Sequence, residues 1–200
     1  MSVQDMIAPG FSDPVFQSQA AFRALLAALS EPGTLQRVTV AIAPPEGLAT
    51  ATATALLTLA DYETPVWLPE ALRNGPAGAW LRFHCGAALV DEPASAAFAV
   101  IDGAAGTPAL SAFNPGNDQF PDRSTTVFVQ CAALEGGAET TLSGPGIPGT
   151  RKVAPQGLRA GFWAEVRENG ALYPLGVDLV LCHGDGMLGL PRTTRIEEAR

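Results

Sequence analysis

Pro45–Leu68 reads PEGLATATATALLTLADYETPVWL, and its first seventeen residues admit two readings. The Ala/Thr alternation has the two-residue period of a strand. The length, and the stripe Leu48, Ala55, Leu56 and Leu59, suit a helix starting near Pro45. Length decides for the helix, whose small residues allow close packing. Thr64–Leu68, TPVWL, then reads as a short buried strand ending at Pro69. A helix that runs directly into an apolar strand points to an α/β protein.

The flanks extend the same alternation. Asp13 is a candidate N-cap and Pro14 suits the first helical position. Phe22, Leu25, Leu26 and Leu29 then recur at i, i+3, i+4 and i+7, predicting one apolar face. Pro32 and Gly33 stop that helix, and TLQRVTV (34–40) follows as a strand. LRFHC (81–85) and SAAFAVID (95–102) read as further strands, with LRFH in the sheet core alongside TPVWL. Residues 107–124 form a loop with one helical turn, and Ala109–Asp122 is expected to be an interface or mobile. TTVFVQCAAL (125–134), the Gly136-Gly137 turn and AETTLSG (138–144) suggest a hairpin. QGLRAGFWAEVREN (156–169) suggests a helix with Leu158, Phe162 and Val166 on one face and Gly170 ending it. GVDLVLC, the 183–186 turn and MLGL make a C-terminal hairpin. The predicted fold is α/β, with a mixed sheet between helical layers. It is read as one domain over residues 1–200, with residues 1–12 as an N-terminal arm, mobile or in an interface.

Composition narrows the function. The chain has 200 residues, 47% apolar and 16% charged, as in an ordinary globular protein. Its formal charge is −8 with only 12 Lys plus Arg, which argues against nucleic acid or an anionic membrane as the main partner. No apolar run reaches the ~20 residues that cross a bilayer, and MSVQDMIAPGFSDPVF lacks the pattern of a signal peptide. Cys85, Cys131 and Cys182, odd in number and far apart, read as buried thiols of a cytoplasmic protein.

Several stretches carry possible chemistry. TTLSGPGIPGTRK (140–152) spaces Gly144 and Gly149 as in a phosphate-binding loop. Pro145 and Pro148 remove two N–H donors, and Thr150 rather than lysine follows Gly149, so a Gly/Pro turn leaving a hairpin strand is favoured. His84-Cys85 and Cys182-His183 hold a zinc-site inventory. Neighbours on a strand face opposite ways, so no metal site and no thiol–base pair is predicted. Asp61 and Asp178 sit in apolar surroundings and need partners. A backbone amide, or Arg82 or Arg192, is the favoured answer, with a ligand site as the alternative. LPRTTRIE (190–197) gathers two arginines and two threonines, which suits a phosphate or a docking chain end. Asp61, Arg82, Asp178, Arg192, Thr193 and Thr194 are therefore the candidate ligand-binding residues. No catalytic residue, metal ligand or cofactor-binding residue is assigned.

LSEPGT, LLTLADYETPVWL, LRFHCGAALV, LSGPGI, PLGVDLVL and LPRTTRIE follow one another in that order, and Pro121, Asp122 and Thr126 precede VFVQC. This series, from the first helix to the C-terminus, closely resembles the PhnH family, the H subunit of the bacterial carbon–phosphorus lyase system. FNPGNDQF and the two Cys/His pairs fall outside that pattern. The resemblance implies a three-layer α/β/α sandwich, a reduced form of the pyridoxal-phosphate-transferase fold without the cofactor. It implies a homodimer that assembles with the G, I and J subunits. It also implies an accessory role: the G, H, I and L subunits together displace adenine from ATP with a phosphonate, giving a ribose 1-phosphonate 5-triphosphate. No catalytic residue of the H subunit comes with it, and no activity is expected of the chain alone. The residues agree on the cofactor. Lys152, the sole lysine, lies in a predicted turn rather than at a strand end facing a pocket. A stand-alone enzyme of phosphorylated small molecules, or an anion-binding module, is the alternative.

Overall fold

The computed structural model describes residues 7–104 and 107–197. Five α-helices are assigned: α1 Pro14–Ser30, α2 Thr50–Leu59, α3 Glu70–Arg73, α4 Pro76–Cys85 and α5 Phe162–Ala171. The strands are β1 Gln36–Arg37, β2 Val66–Trp67, β3 Leu89–Val90, β4 Phe98–Asp102, β5 Thr126–Gln130, β6 Thr140–Ser143, β7 Arg151–Val153, β8 Asp178–His183, β9 Gly186–Leu190 and β10 Arg195–Ile196. Seven form one mixed sheet, in the order β1-β9-β8-β5-β4-β2-β3; β6, β7 and β10 form a small antiparallel sheet.

The large sheet is parallel from β3 to β8, and β9 turns back against β8. Val127, Phe128 and Val129 of β5, and Leu179, Val180 and Leu181 of β8, are inaccessible to solvent. Alternate residues serve opposite cores. Phe128, Val180 and Met187 join α1, α2 and α4 on one face. Val127, Val129, Leu179 and Leu181 join Phe162 and Val166 of α5 and Leu142, Val153 and Ile196 of the small sheet on the other. A parallel sheet needs cover on both faces, and each fully buried Val, Leu or Phe contributes about 1.5–3 kcal/mol.

α1 and α2 show how small residues place these layers. Asp13 caps α1 by accepting from Phe16 N–H, with Pro14 in the first turn. α1 buries Ala21, Leu25 and Ala28, not the whole predicted stripe: Phe22 and Leu26 are about half exposed. The cause is close approach to β9. A Cβ on Gly189 would stand 2.2 Å from the Ala28 carbonyl oxygen, so the helix backbone can lie this near the strand only where position 189 is glycine. The helix predicted from Pro45 begins at Thr50 and buries Ala51 through Leu56. Leu48 is buried just ahead of it.

One predicted strand and one predicted hairpin are replaced. LRFHC is the second half of α4, capped by Gly86 in the left-handed region (φ 65°). Pro76 opens that helix, and Ala77, Trp80 and Leu81 form its buried stripe, at helical spacing. The expected 125–144 hairpin does not form. β5 pairs with β4 and β8, whereas β6 pairs with β7 and β10 in the other sheet. β5 has parallel neighbours, β4 and β8, on both sides, so the chain after it leaves the sheet rather than turning back in a hairpin. The C-terminal hairpin is present, with Leu179 opposite Leu190. α5 starts at Phe162, after Gly161, leaving Leu158 in the preceding loop, and runs through Gly170 to Ala171.

Of the expected arm, residues 1–6 lie outside the described residues; Ile7, Ala8 and Phe11 pack against the first core. Residues 107–124 contain two 3-10 turns, Leu110–Ala112 and Pro121–Arg123, and bury Leu110 and Phe113. No helix among the described residues is long and apolar enough to cross a membrane.

Candidate functional site

The β8–β9 register creates the site. Because Leu190 lies opposite Leu179, the residues after β9 return beside Asp178, the first residue of β8. Arg192 N–H donates to Asp178 Oδ1 at 2.9 Å. The guanidinium meets the same carboxylate side-on, with Nε to Oδ1 at 3.2 Å and Nη2 to Oδ2 at 2.6 Å. Its other donors reach Pro121 O, Pro174 O and Ser124 Oγ. One arginine thus ties together the start of β8, the end of β9 and two loops. Asp178 is answered by an arginine and a backbone amide together.

A second ion pair braces α5. Arg159 contacts Glu165 through Nε at 3.0 Å and Nη2 at 2.8 Å, and also donates to Thr107 Oγ1 and Pro108 O. Glu165 accepts from Leu110 N–H as well. The hydrogen bond from Arg159 holds the Glu165 carboxyl below its usual range, against the opposing effect of burial. Neither residue stood out in the sequence. They are six apart across a helix start, and their common partner is a distant loop.

Between α5 and the small sheet lies a cavity of about 480 Å³. Its wall is Arg192-Thr193-Thr194-Arg195-Ile196 on one side and Arg167, Gly170, Ala171 and Tyr173 on the other, with Pro145 at the edge. Pro145 arrives through the Gly/Pro turn between β6 and β7. Gly144 there has φ 125°, and a Cβ on it would meet the Thr193 carbonyl oxygen at 2.8 Å, so the turn needs glycine to lie against the wall.

Of the six candidate residues, Arg192, Thr193 and Thr194 line this cavity and Asp178 stands behind it, bonded to Arg192. Arg192 has its donors occupied by protein. Thr194 is buried, and its hydroxyl has no partner among the described residues. Asp61 and Arg82 are not on the wall. Asp61 is exposed at the end of α2, where its carboxylate accepts from Glu63 N–H at 2.9 Å and Thr64 Oγ1 at 3.0 Å. Arg82 is exposed on α4, with no ion pair among the described residues. Arg167 and Tyr173 escaped the sequence reading. Arg167 is an exposed residue three positions before Gly170, a signal shared with any solvated helix face.

Burial pushes the Cys85 thiol up to about 11 and those of Cys131 and Cys182 up to about 12, which keeps all three protonated at neutral pH. His84 Nε2 bonds Ala8 O at 2.9 Å, and His183 Nδ1 bonds Cys131 O at 3.0 Å. No three His, Cys, Asp or Glu among the described residues are placed to hold a metal ion. Lys152 lies on β7 rather than in the expected turn, exposed, with Nζ 2.7 Å from Glu139 Oε2. The hydrogen bond to Glu139, helped by its charge, raises the lysine's pKa, opposite to the neutral amine that imine formation requires.

A model of the family described as bacterial phosphonate metabolism protein (PhnH) matches residues 9–197. The chain is 41% identical, over 98% of its length and 99% of the relative's, to the alpha-D-ribose 1-methylphosphonate 5-triphosphate synthase subunit PhnH of Rhizobium meliloti (strain 1021). It is 32% identical, over 90% of its length and 86% of the relative's, to HtxG of Stutzerimonas stutzeri, named as a candidate C-P lyase subunit protein.

Proposed function

We propose, from the premise that this chain belongs to the PhnH family of bacterial phosphonate metabolism proteins, that it is the accessory, non-catalytic H subunit of a carbon–phosphorus lyase core complex. In this role it works with its G, I and L partners in transferring a phosphonate onto the ribose of ATP with release of adenine. It forms a homodimer and assembles with the G, I and J subunits in the cytoplasm. The observation that carries the proposal is the end-to-end match to a synthase subunit, 98% of one chain against 99% of the other.

Physical chemistry supports the accessory part. The thiols are held protonated by burial, Arg192 and Arg159 spend their donors on loops and carboxylates, and Lys152 is tied to Glu139 in solvent. Val15, Phe16, Phe22 and Leu26 stand exposed on α1. Apolar area of this kind suits a chain that other protein surfaces cover. We read the two covered faces of the large sheet as a three-layer α/β/α sandwich, reduced from the pyridoxal-phosphate-transferase plan and used without the cofactor.

Reconstitution tests the proposal. The isolated chain, given ATP and methylphosphonate, should release no adenine. A mixture of the G, I and L subunits should do so only when this chain is added. Turnover by the chain alone, or full turnover by the others without it, would overturn the reading.

A further inference from the structure

The cavity beside α5 has an electrostatic character opposite to that of its protein. The chain carries 20 Asp plus Glu against 12 Lys plus Arg, yet among the described residues the cavity is lined by three arginines and no carboxylate. Arg192 is matched by Asp178 behind the wall. Arg167 and Arg195 are exposed and take part in no ion pair or side-chain hydrogen bond among the described residues. Two guanidiniums that are unpaired among the described residues therefore border one concave space. Thr193, half-buried between them and also without a side-chain partner among the described residues, adds a hydroxyl donor. Tyr173, Ile196, Ala171 and Pro145 supply apolar wall. The volume, about 480 Å³, is that of a small-molecule site.

We infer that this cavity binds a small molecule carrying two or more phosphoryl groups beside an apolar or aromatic portion. Guanidiniums bind phosphoryl oxygens through paired N–H donors and stay charged at all working pH values. Arg167 and Arg195 supply the charge, and Thr193 a further donor. Arg192 is a positioning residue: its clamp on Asp178 fixes the 192–195 segment against α5. The apolar wall and the Tyr173 ring take the uncharged part of the ligand. The inference concerns the isolated chain and does not rest on the subunit reading.

Calorimetric titration of the full chain with ATP, tripolyphosphate, inorganic phosphate and adenosine tests it. ATP should bind with one site per chain, and tripolyphosphate should bind and compete with it. Inorganic phosphate should bind more weakly than either. The double variant Arg167→Gln/Arg195→Gln, at exposed positions, should melt as wild type does and bind ATP at least about tenfold more weakly, a loss of about 1.4 kcal/mol. Tyr173→Ala should weaken ATP more than tripolyphosphate. No binding of ATP or tripolyphosphate at millimolar concentration would overturn the inference. So would adenosine binding as tightly as ATP, or the double variant binding ATP unchanged. Failure of reconstitution with ATP binding intact would sink the subunit reading alone.

Discussion

Arg192→Met removes a charge and five donor contacts while keeping most of the side chain's volume. In the native chain the guanidinium gives two hydrogen bonds to Asp178 and three to Pro121 O, Pro174 O and Ser124 Oγ. Its side chain is 12% exposed and that of Asp178 25%. Breaking a fully buried pair costs about 3–5 kcal/mol because one charge is stranded. Here a quarter of the Asp178 side-chain surface meets water, and the backbone N–H of residue 192 still serves Oδ1. The cost should therefore fall in the upper part of the range for hydrogen bonds to charged groups, about 2–3 kcal/mol. For a chain of this size each kcal/mol moves Tm by about 2–4 °C, so melting should fall by about 4–12 °C. Urea denaturation of Arg192→Met, Asp178→Asn and the double variant gives the coupling directly, expected at about 1–2 kcal/mol. If Arg192→Met lies within about 0.5 kcal/mol of wild type, or the single effects simply add, the clamp does not hold the site.

Glu165 yields a pH signature. Arg159 keeps its folded pKa below the ordinary value of 4.5, so the stabilisation is full above that value and is lost as pH falls through the folded one. Wild type should exceed Glu165→Gln in stability by about 1–2 kcal/mol at neutral pH, with the gap closing below pH 4.5; a gap constant across acid denaturation curves would refute the pairing. The Cys131 and Cys182 thiols, both buried, should be silent in the native state at neutral pH, reacting with a disulfide reagent only after denaturation. Rapid stoichiometric labelling of native Cys131 or Cys182 would contradict their burial.

Local pattern made part of this protein legible before any coordinates. Asp13-Pro14 opens α1, the Val/Leu runs are β5 and β8, and the 183–186 turn makes the β8–β9 hairpin; each rests on residues close in sequence. LRFHC failed because five alternating residues have no period of their own, and Pro76 to Gly86 had to be read together. The α1 face failed because Phe22 and Leu26 satisfy the pattern as well as Leu25 does. Which side lies down was settled by Gly189 on another element. The binding candidates divided in the same way. LPRTTRIE pointed to the wall of the cavity because its residues are contiguous, whereas Arg167, Tyr173 and the Arg159–Glu165 brace had no neighbouring signal.

The amino-acid sequence alone determined the α/β class, the Asp13-Pro14 start of α1, and membership of the family, since all three depend on residue order. Tertiary structure alone decided which strands pair beyond the β8–β9 hairpin, which helix face is covered, and that Asp178 belongs to Arg192 rather than Arg82. Those choices are made by contacts between segments far apart in the chain, where packing volume and charge pairing act and local periodicity carries no information.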